Sequence, residues 1–157
     1  MSLEILHNRA EHTHENEQFR RCVIELQTIF SQRNWDGLLI GNPCSDNFHR
    51  FRADALFLYN HGLILIDFKD YQGVINLPPN DEEFQNTKWY SESSRDKSRI
   101  EIKAGSRFIN PFRQLKAYRE AFYEIIEKNM YLNGSVNASR VAIANIFSVP
   151  VEVVNNI

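Results

Sequence analysis

Asp54, Asp67 and Lys69 are the residues of this chain whose types and spacing point to chemistry. Asp67-Phe68-Lys69 closes an apolar run, Leu63-Ile64-Leu65-Ile66. On a strand, residues two apart leave the same face, so the acid and the lysine emerge together while Ile66 and Phe68 leave the other. Burying either charge alone is costly, so such a pair at the end of an apolar strand calls for an explanation. Two carboxylates are hard oxygen donors suited to Mg2+ or Mn2+. Such an ion polarises a phosphoryl oxygen and lowers the pKa of a bound water. A lysine beside it can orient that water or offset charge gathering on a phosphate. The same residues also describe a cross-strand Asp–Lys pair at a sheet edge, worth about 0–1 kcal/mol. The short Asp-x-Lys spacing does not decide between the two.

Hairpin register determines whether Asp54 joins them. Two apolar runs, Arg52–Tyr59 and Leu63–Asp70, flank Asn60-His61-Gly62, which signals a β-hairpin. A two-residue turn at His61-Gly62 sets Asp54 opposite Lys69, and a turn one residue earlier sets it opposite Asp67. Both gather the three polar groups on one face. A three-residue turn without a bulge sets Asp54 against Phe68 and disperses them.

Helices and further strands must hold this hairpin. Phe19, Cys22, Val23, Leu26, Ile29 and Phe30 recur at helical spacing and predict a helix from about Glu15 to Gln32, with Thr13 as its N-cap. Glu15 projects onto the apolar stripe, while Glu17 points away. A short strand, Gly37 to Gly41, follows, and Pro43 to His49 reads as a loop. Asn80 to Asn86 is an acidic excursion, Lys88-Trp89-Tyr90 a weak strand, and Ser91 to Ser98 a polar loop. Asn110-Pro111 opens a second helix as N-cap and first helical residue, running to about Asn129 with Leu115, Tyr118, Phe122, Ile125 and Ile126 inward. Gln114 lies in its first turn, one turn from Tyr118, where an amide can orient a water or hold a phosphate. Asn133-Gly134 is a turn, and Arg140–Val149 a buried strand. The order is α-β-β-β, then α-β.

The 157 residues suit one domain, and 43% hydrophobic with 24% charged residues is an ordinary globular composition. No apolar run nears the roughly 20 residues of a membrane helix. The opening Met1-Ser2-Leu3-Glu4 lacks a signal-peptide pattern, so a cytoplasmic address is the default expectation. Cys22 and Cys44 form no CxxC pair and are expected to be small buried hydrophobes. Net charge is −2, but it is segregated. Between Arg95 and Arg119, eight basic residues face only Asp96 and Glu101, a local +6 that leaves −8 elsewhere. Arg95, Lys97, Arg99, Lys103, Arg107, Arg113 and Lys116 are the candidate nucleic-acid-binding residues in this stretch; a solvated loop and helix face is the plainer account. The alternating histidines of Glu11-His12-Thr13-His14-Glu15 are expected to be an exposed helix entry, and Arg50-Phe51-Arg52 a lead into a strand. No serine-nucleophile elbow is present.

Taken together, these residues resemble the NERD (nuclease-related) domain of the PD-(D/E)xK nuclease superfamily. The matching order is an early helix Glu, Asp54 on a strand, Asp67-Phe68-Lys69 with Gly73 soon after, Trp89, Asn110-Pro111-Phe112-Arg113-Gln114 opening a helix, and a closing apolar strand, spanning roughly Glu15 to Val149. The resemblance implies a restriction-endonuclease-like α/β fold, a central mixed β-sheet flanked by helices with an α-β-β-β-α-β core. It also implies Mg2+- or Mn2+-dependent cleavage of DNA, with RNA and a catalytically inactive binding module as alternatives. By the same resemblance, Asp54 and Asp67 are metal ligands, Glu15 an outer metal partner, Lys69 the assistant of the nucleophilic water and Gln114 a supporting polar residue. Ala53 stands where the superfamily motif has Pro, and Asp67 where this family more often has Glu, one methylene longer. Such domains are often fused to helicase, kinase or other signalling domains, so residues 1–157 are expected to be a single domain at the N-terminal end of a longer protein.

Overall fold

A computed structural model of the chain describes residues 2–8, 10, 12–43, 51–129, 141–148 and 151–155. In chain order the elements are β1 (Leu3–His7), α1 (Thr13–Arg33), β2 (Gly37–Gly41), β3 (Ala55–Tyr59), β4 (Gly62–Lys69), β5 (Val74–Leu77), α2 (Asp81–Asn86), β6 (Tyr90–Glu92), β7 (Arg99–Glu101), α3 (Pro111–Lys128), β8 (Val141–Phe147) and β9 (Glu152–Asn155). The expected Pro43–His49 loop from residue 44 on, the Asn133-Gly134 turn and Cys44 lie outside the described residues.

The main sheet has the order β1-β2-β3-β4-β8. It is mixed: β1 runs parallel to β2 and β4 parallel to β8, while β2–β3 and β3–β4 are antiparallel. β4 lies between β3 and β8, and from Leu65 to Lys69 every residue is buried. A strand covered on both faces needs the consecutive apolar residues seen there. Alternation then divides the core. Leu63 and Leu65 pack with Val141 and with Leu115, Tyr118 and Phe122 of α3. Ile66 and Phe68 pack on the other face with Leu39, Phe57 and Phe19 and Phe30 of α1. The two long helices thus cover opposite faces of one mixed sheet, the expected restriction-endonuclease-like class. Among the described residues, no helix is long and apolar enough to cross a membrane.

A second sheet, β7-β6-β5-β9, was not anticipated. Its strands have three or four residues, too few for a hydrophobic period to emerge. The expected Lys88–Tyr90 strand sits later, at Tyr90–Glu92, and the expected loop at Ser91 begins only at Ser93. Trp89 instead anchors a small core with Ile75 and Ile102, its indole N–H donating to the Phe84 carbonyl at 3.0 Å. The acidic excursion contains α2, capped by Asn80, whose side chain accepts from Glu83 N at 2.9 Å. Gly73 is required where it stands: its φ is +92°, and a Cβ there would lie 2.2 Å from the Glu92 carbonyl oxygen.

Thr13 is not the N-cap of α1 but its first residue; His12 occupies the cap position and its side chain makes no cap bond. Asn16 takes over the role of tethering the entry. Its amide donates to the Ala10 and His12 carbonyls and accepts from Ala10 N.

Candidate active site

The β3–β4 hairpin turns at Asn60-His61, pairing Tyr59 with Gly62 and Ala55 with Ile66. This is the register that carries Asp54 toward Asp67. The ladder bends at its end, because Asp54 N donates to the Ile66 carbonyl at 2.9 Å while Ala55 pairs with the same residue. Two residues facing one make a β-bulge, a device that re-aims a side chain. Ala53 accordingly joins the core under α3 and Ala55 the core under α1. The Asp54 carboxylate turns back onto β4, where Oδ2 accepts from Phe68 N at 2.6 Å.

Asp67 and Lys69 leave β4 on the α3 side, and Lys69 Nζ lies 2.7 Å from Asp67 Oδ2. The contact is an ion pair bent away from hydrogen-bond geometry. Lys69 Nζ donates to Gln114 Oε1 at 2.8 Å, and Gln114 Nε2 donates to the Tyr118 hydroxyl at 3.0 Å. Asp67, Lys69 and Gln114 are 3%, 7% and 6% exposed, so this is no solvated edge pair but a desolvated polar line inside the domain. Asp54, half-buried, is its outward end.

Gln114 is delivered by Asn110. Asn110 is fully buried; its Oδ1 accepts from Arg113 N at 3.0 Å as the α3 cap, and its amide donates to the carbonyls of Phe84, Gln85 and Thr87. The start of α3 is thereby fixed to α2, and the first turn holds Gln114 over Lys69.

The electrostatics follow from burial. Burial, then the neighbouring Asp67 charge, pushes Asp54 up to about 8, despite the Phe68 N–H; Glu15 pushes the same way. Burial also raises Asp67, against the opposing pull of Lys69, and its carboxyl is within hydrogen-bonding reach of Asp54. Two carboxylates of raised pKa share one lysine, which leaves negative charge without compensation whenever both ionise. A hard divalent cation supplies that compensation, and the oxygen donors present are of the kind Mg2+ or Mn2+ takes. The residues therefore fit such an ion in donor chemistry. Among the described residues, however, no three His, Cys, Asp or Glu side chains close on one point. Asp54 and Asp67 form a pair, and Glu15 acts on it from the first turn of α1.

Helical phase favours Glu15 over Glu17: Glu15 is half-buried near Asp54, and Glu17 is exposed. Two neighbours were missed in the sequence. His14, expected as part of an exposed helix entry, lies close enough to lower Asp67. Gln18 is buried and donates to the Lys69 carbonyl at 3.3 Å, pinning α1 to the carboxyl end of β4. Open α/β sheets bind ligands at the carboxyl ends of their strands, and that is where these groups meet. A groove of about 670 Å³, bordered by Arg52, Arg107, Phe108, Tyr118 and Glu120, opens beside α3 and shares Tyr118 with the polar line.

The basic stretch is not one surface of equivalent residues. Arg113 is turned inward, donating to Gln85 O at 3.1 Å and Asn86 Oδ1 at 2.6 Å. Lys97 and Lys103 pair with Glu92 and Glu101 at 3.7 and 3.4 Å, and Arg99 lies over the Tyr90 ring at 4.5 Å. Arg95 and Arg107 are exposed and Lys116 half-buried. Cys22 behaves as a partly buried hydrophobe, its thiol pushed up to about 11 by burial.

Residues 12–149 match the family model described as NERD, nuclease-related domain. No curated protein and no solved structure matches the chain.

Proposed function

This chain belongs to the nuclease-related domain family, and on that premise we propose that it is a metal-dependent nuclease that cleaves phosphodiester bonds of DNA. The supporting observation is the buried line Asp54–Asp67–Lys69–Gln114 at the carboxyl end of β4. Asp54 and Asp67 would hold Mg2+ or Mn2+, with Glu15 as an outer partner. The bound ion would supply Lewis acidity toward a phosphoryl oxygen and a lowered pKa for an adjacent water.

The chain's own residues do the rest. Lys69 presents a fixed positive charge to the phosphate side of the site, orienting the attacking water or offsetting charge that builds as the bond breaks. Gln114 holds that ammonium in place, and Tyr118 holds Gln114. The Phe68 N–H fixes one oxygen of Asp54, leaving the other to a ligand. Of the basic residues, Arg95, Arg107 and Lys116 are the ones best placed to meet substrate phosphates, and Lys97, Arg99 and Lys103 can do so after giving up local partners. We place the protein in the cytoplasm, as one domain of a longer chain.

A second reading keeps the scaffold and drops the chemistry: a nucleic-acid- or protein-binding module. The observation favouring it is the carboxylate pair that finds no third His, Cys, Asp or Glu among the described residues. One experiment separates the two. The protein is incubated with Mg2+ or Mn2+ and single- and double-stranded DNA, with RNA in parallel, beside Asp67→Ala and Lys69→Ala. Cleavage abolished by both substitutions supports the nuclease. Binding without cleavage, unchanged by either substitution, supports the module.

A further inference from the structure

We infer that Asn145 is a further oxygen donor of this centre, its side-chain amide oxygen completing with Asp54 and Asp67 the set that holds the divalent cation; the inference rests on the function proposed above. β8 lies parallel to β4 and in register, pairing Leu63 with Val141, Leu65 with Ile143 and Asp67 with Asn145. Register partners on neighbouring strands project from the same face. Val141 and Ile143 pack in the core under α3, and Ile146 packs in the core under α1, so Asn145 leaves the sheet on the side of Asp67. The apolar stripe of β8 is therefore interrupted at Asn145, at the level where β4 turns polar at Asp67, before it resumes at Phe147.

Among the described residues, no polar partner accounts for the amide on β8. The Asn145 Oδ1 atom is buried, and no hydrogen bond reaches it among the described residues. An unsatisfied buried acceptor is destabilising, and continuing the Val–Ile stripe with an aliphatic residue would avoid it. Lys69 Nζ, two residues along β4 from Asp67, lies between Asp67 Oδ2 and Gln114 Oε1. Asp67 Oδ2 and Asn145 Oδ1 are thus two buried oxygens on register partners of adjacent strands, neither reached by a hydrogen bond among the described residues. A cation between them satisfies both, and amide oxygens are ordinary ligands of hard divalent ions. The proposal also meets the shortage of carboxylates, because an amide oxygen supplies the third protein donor without a third negative charge.

The test is Mn2+ titration of the full chain by calorimetry at pH 8.5, with folding checked by circular dichroism and thermal unfolding. Asn145→Leu should weaken Mn2+ binding by about tenfold or more, while leaving the metal-free melting temperature equal to or above that of the parent. Asn145→Ser, small enough to be accommodated if leucine is not, should weaken binding similarly. It should also raise the water-proton relaxivity per bound Mn2+, because water takes the vacated position. If both variants keep the parent's affinity while Asp67→Asn loses it, the role of Asn145 is overturned and the metal centre stands. If Asp67→Asn also keeps it, the proposed centre fails with the inference.

Discussion

Lys69 Nζ lies 2.8 Å from Gln114 Oε1, so one hydrogen bond joins the last residue of β4 to the first turn of α3 across the domain interior. The ammonium also answers Asp67 at 2.7 Å. Deleting either partner leaves a buried polar group behind. Lys69→Met should destabilise the protein by about 3 kcal/mol, since it strands a desolvated carboxylate. Gln114→Leu should cost less, about 1–2 kcal/mol, because Lys69 keeps Asp67. Urea unfolding gives both values, and cleavage assays on the folded fraction should show Lys69→Met inactive and Gln114→Leu slowed.

Asp54 sets a pH signature for the metal-free protein. Its folded pKa is about 8, well above the ordinary carboxylate value, and Asp67 is raised too. Between about pH 4 and pH 8 the folded chain retains a proton that the unfolded chain has lost. Stability must therefore fall as pH rises through that window and level off above it. Asp54→Asn should flatten this slope and raise the metal-free melting temperature at pH 8 by about 3–6 °C, corresponding to about 1–2 kcal/mol at this chain length. Mn2+ should do the reverse of pH: if it binds these carboxylates it competes with the proton they retain, so its stabilising increment should grow from pH 6 to pH 8.5. Melting curves across pH, with and without Mn2+, measure all three effects.

The parts of this site that the sequence revealed are those with strong local signals. Leu63 to Ile66 marks a strand buried on both faces, Asn110-Pro111 marks a helix start, and the Asn60–Gly62 turn restricts register to a few choices. Those three features are enough to bring Asp67, Lys69 and Gln114 toward one another, as they lie in the fold. The bulge at Asp54 is not legible, since it arises from the way β3 leaves the ladder and no residue type announces it. Asn145 and Gln18 were missed for a related reason. A single amide in a strand or helix looks routine until the fold shows that, among the described residues, no hydrogen bond reaches its buried oxygen. The second sheet escaped because its strands are stabilised by tertiary packing around Ile75, Trp89 and Ile102, while their own sequences carry almost no period.

Asn110 should be worth more than an ordinary cap. A capping asparagine contributes about 0.5–2 kcal/mol, but this one also binds three carbonyls at the end of α2. Asn110→Ala should therefore exceed that range in a stability measurement. Asn110→Asp keeps the acceptor for Arg113 N but loses the donors, and should recover only part of the loss. Both variants should slow cleavage through misplacement of Gln114, with the metal affinity of Asp54 and Asp67 retained.

Arg113, in the first turn of α3, and Arg107, in the turn that precedes the helix, carry the same charge, yet they should respond oppositely to removal. Arg113 is committed to Gln85 and Asn86 of α2, so Arg113→Ala should lower the melting temperature. DNA affinity measured on the folded protein should barely change. Arg107 is exposed at the rim of the groove beside α3. If it meets a phosphate, Arg107→Ala should leave stability unchanged, weaken binding for every DNA sequence alike, and reduce the slope of log affinity against log salt by about 1. Fluorescence anisotropy at several salt concentrations, with thermal unfolding of each variant, distinguishes the two. A salt slope unaltered by Arg107→Ala, or one reduced by Arg113→Ala, would move the phosphate-contacting surface away from the groove.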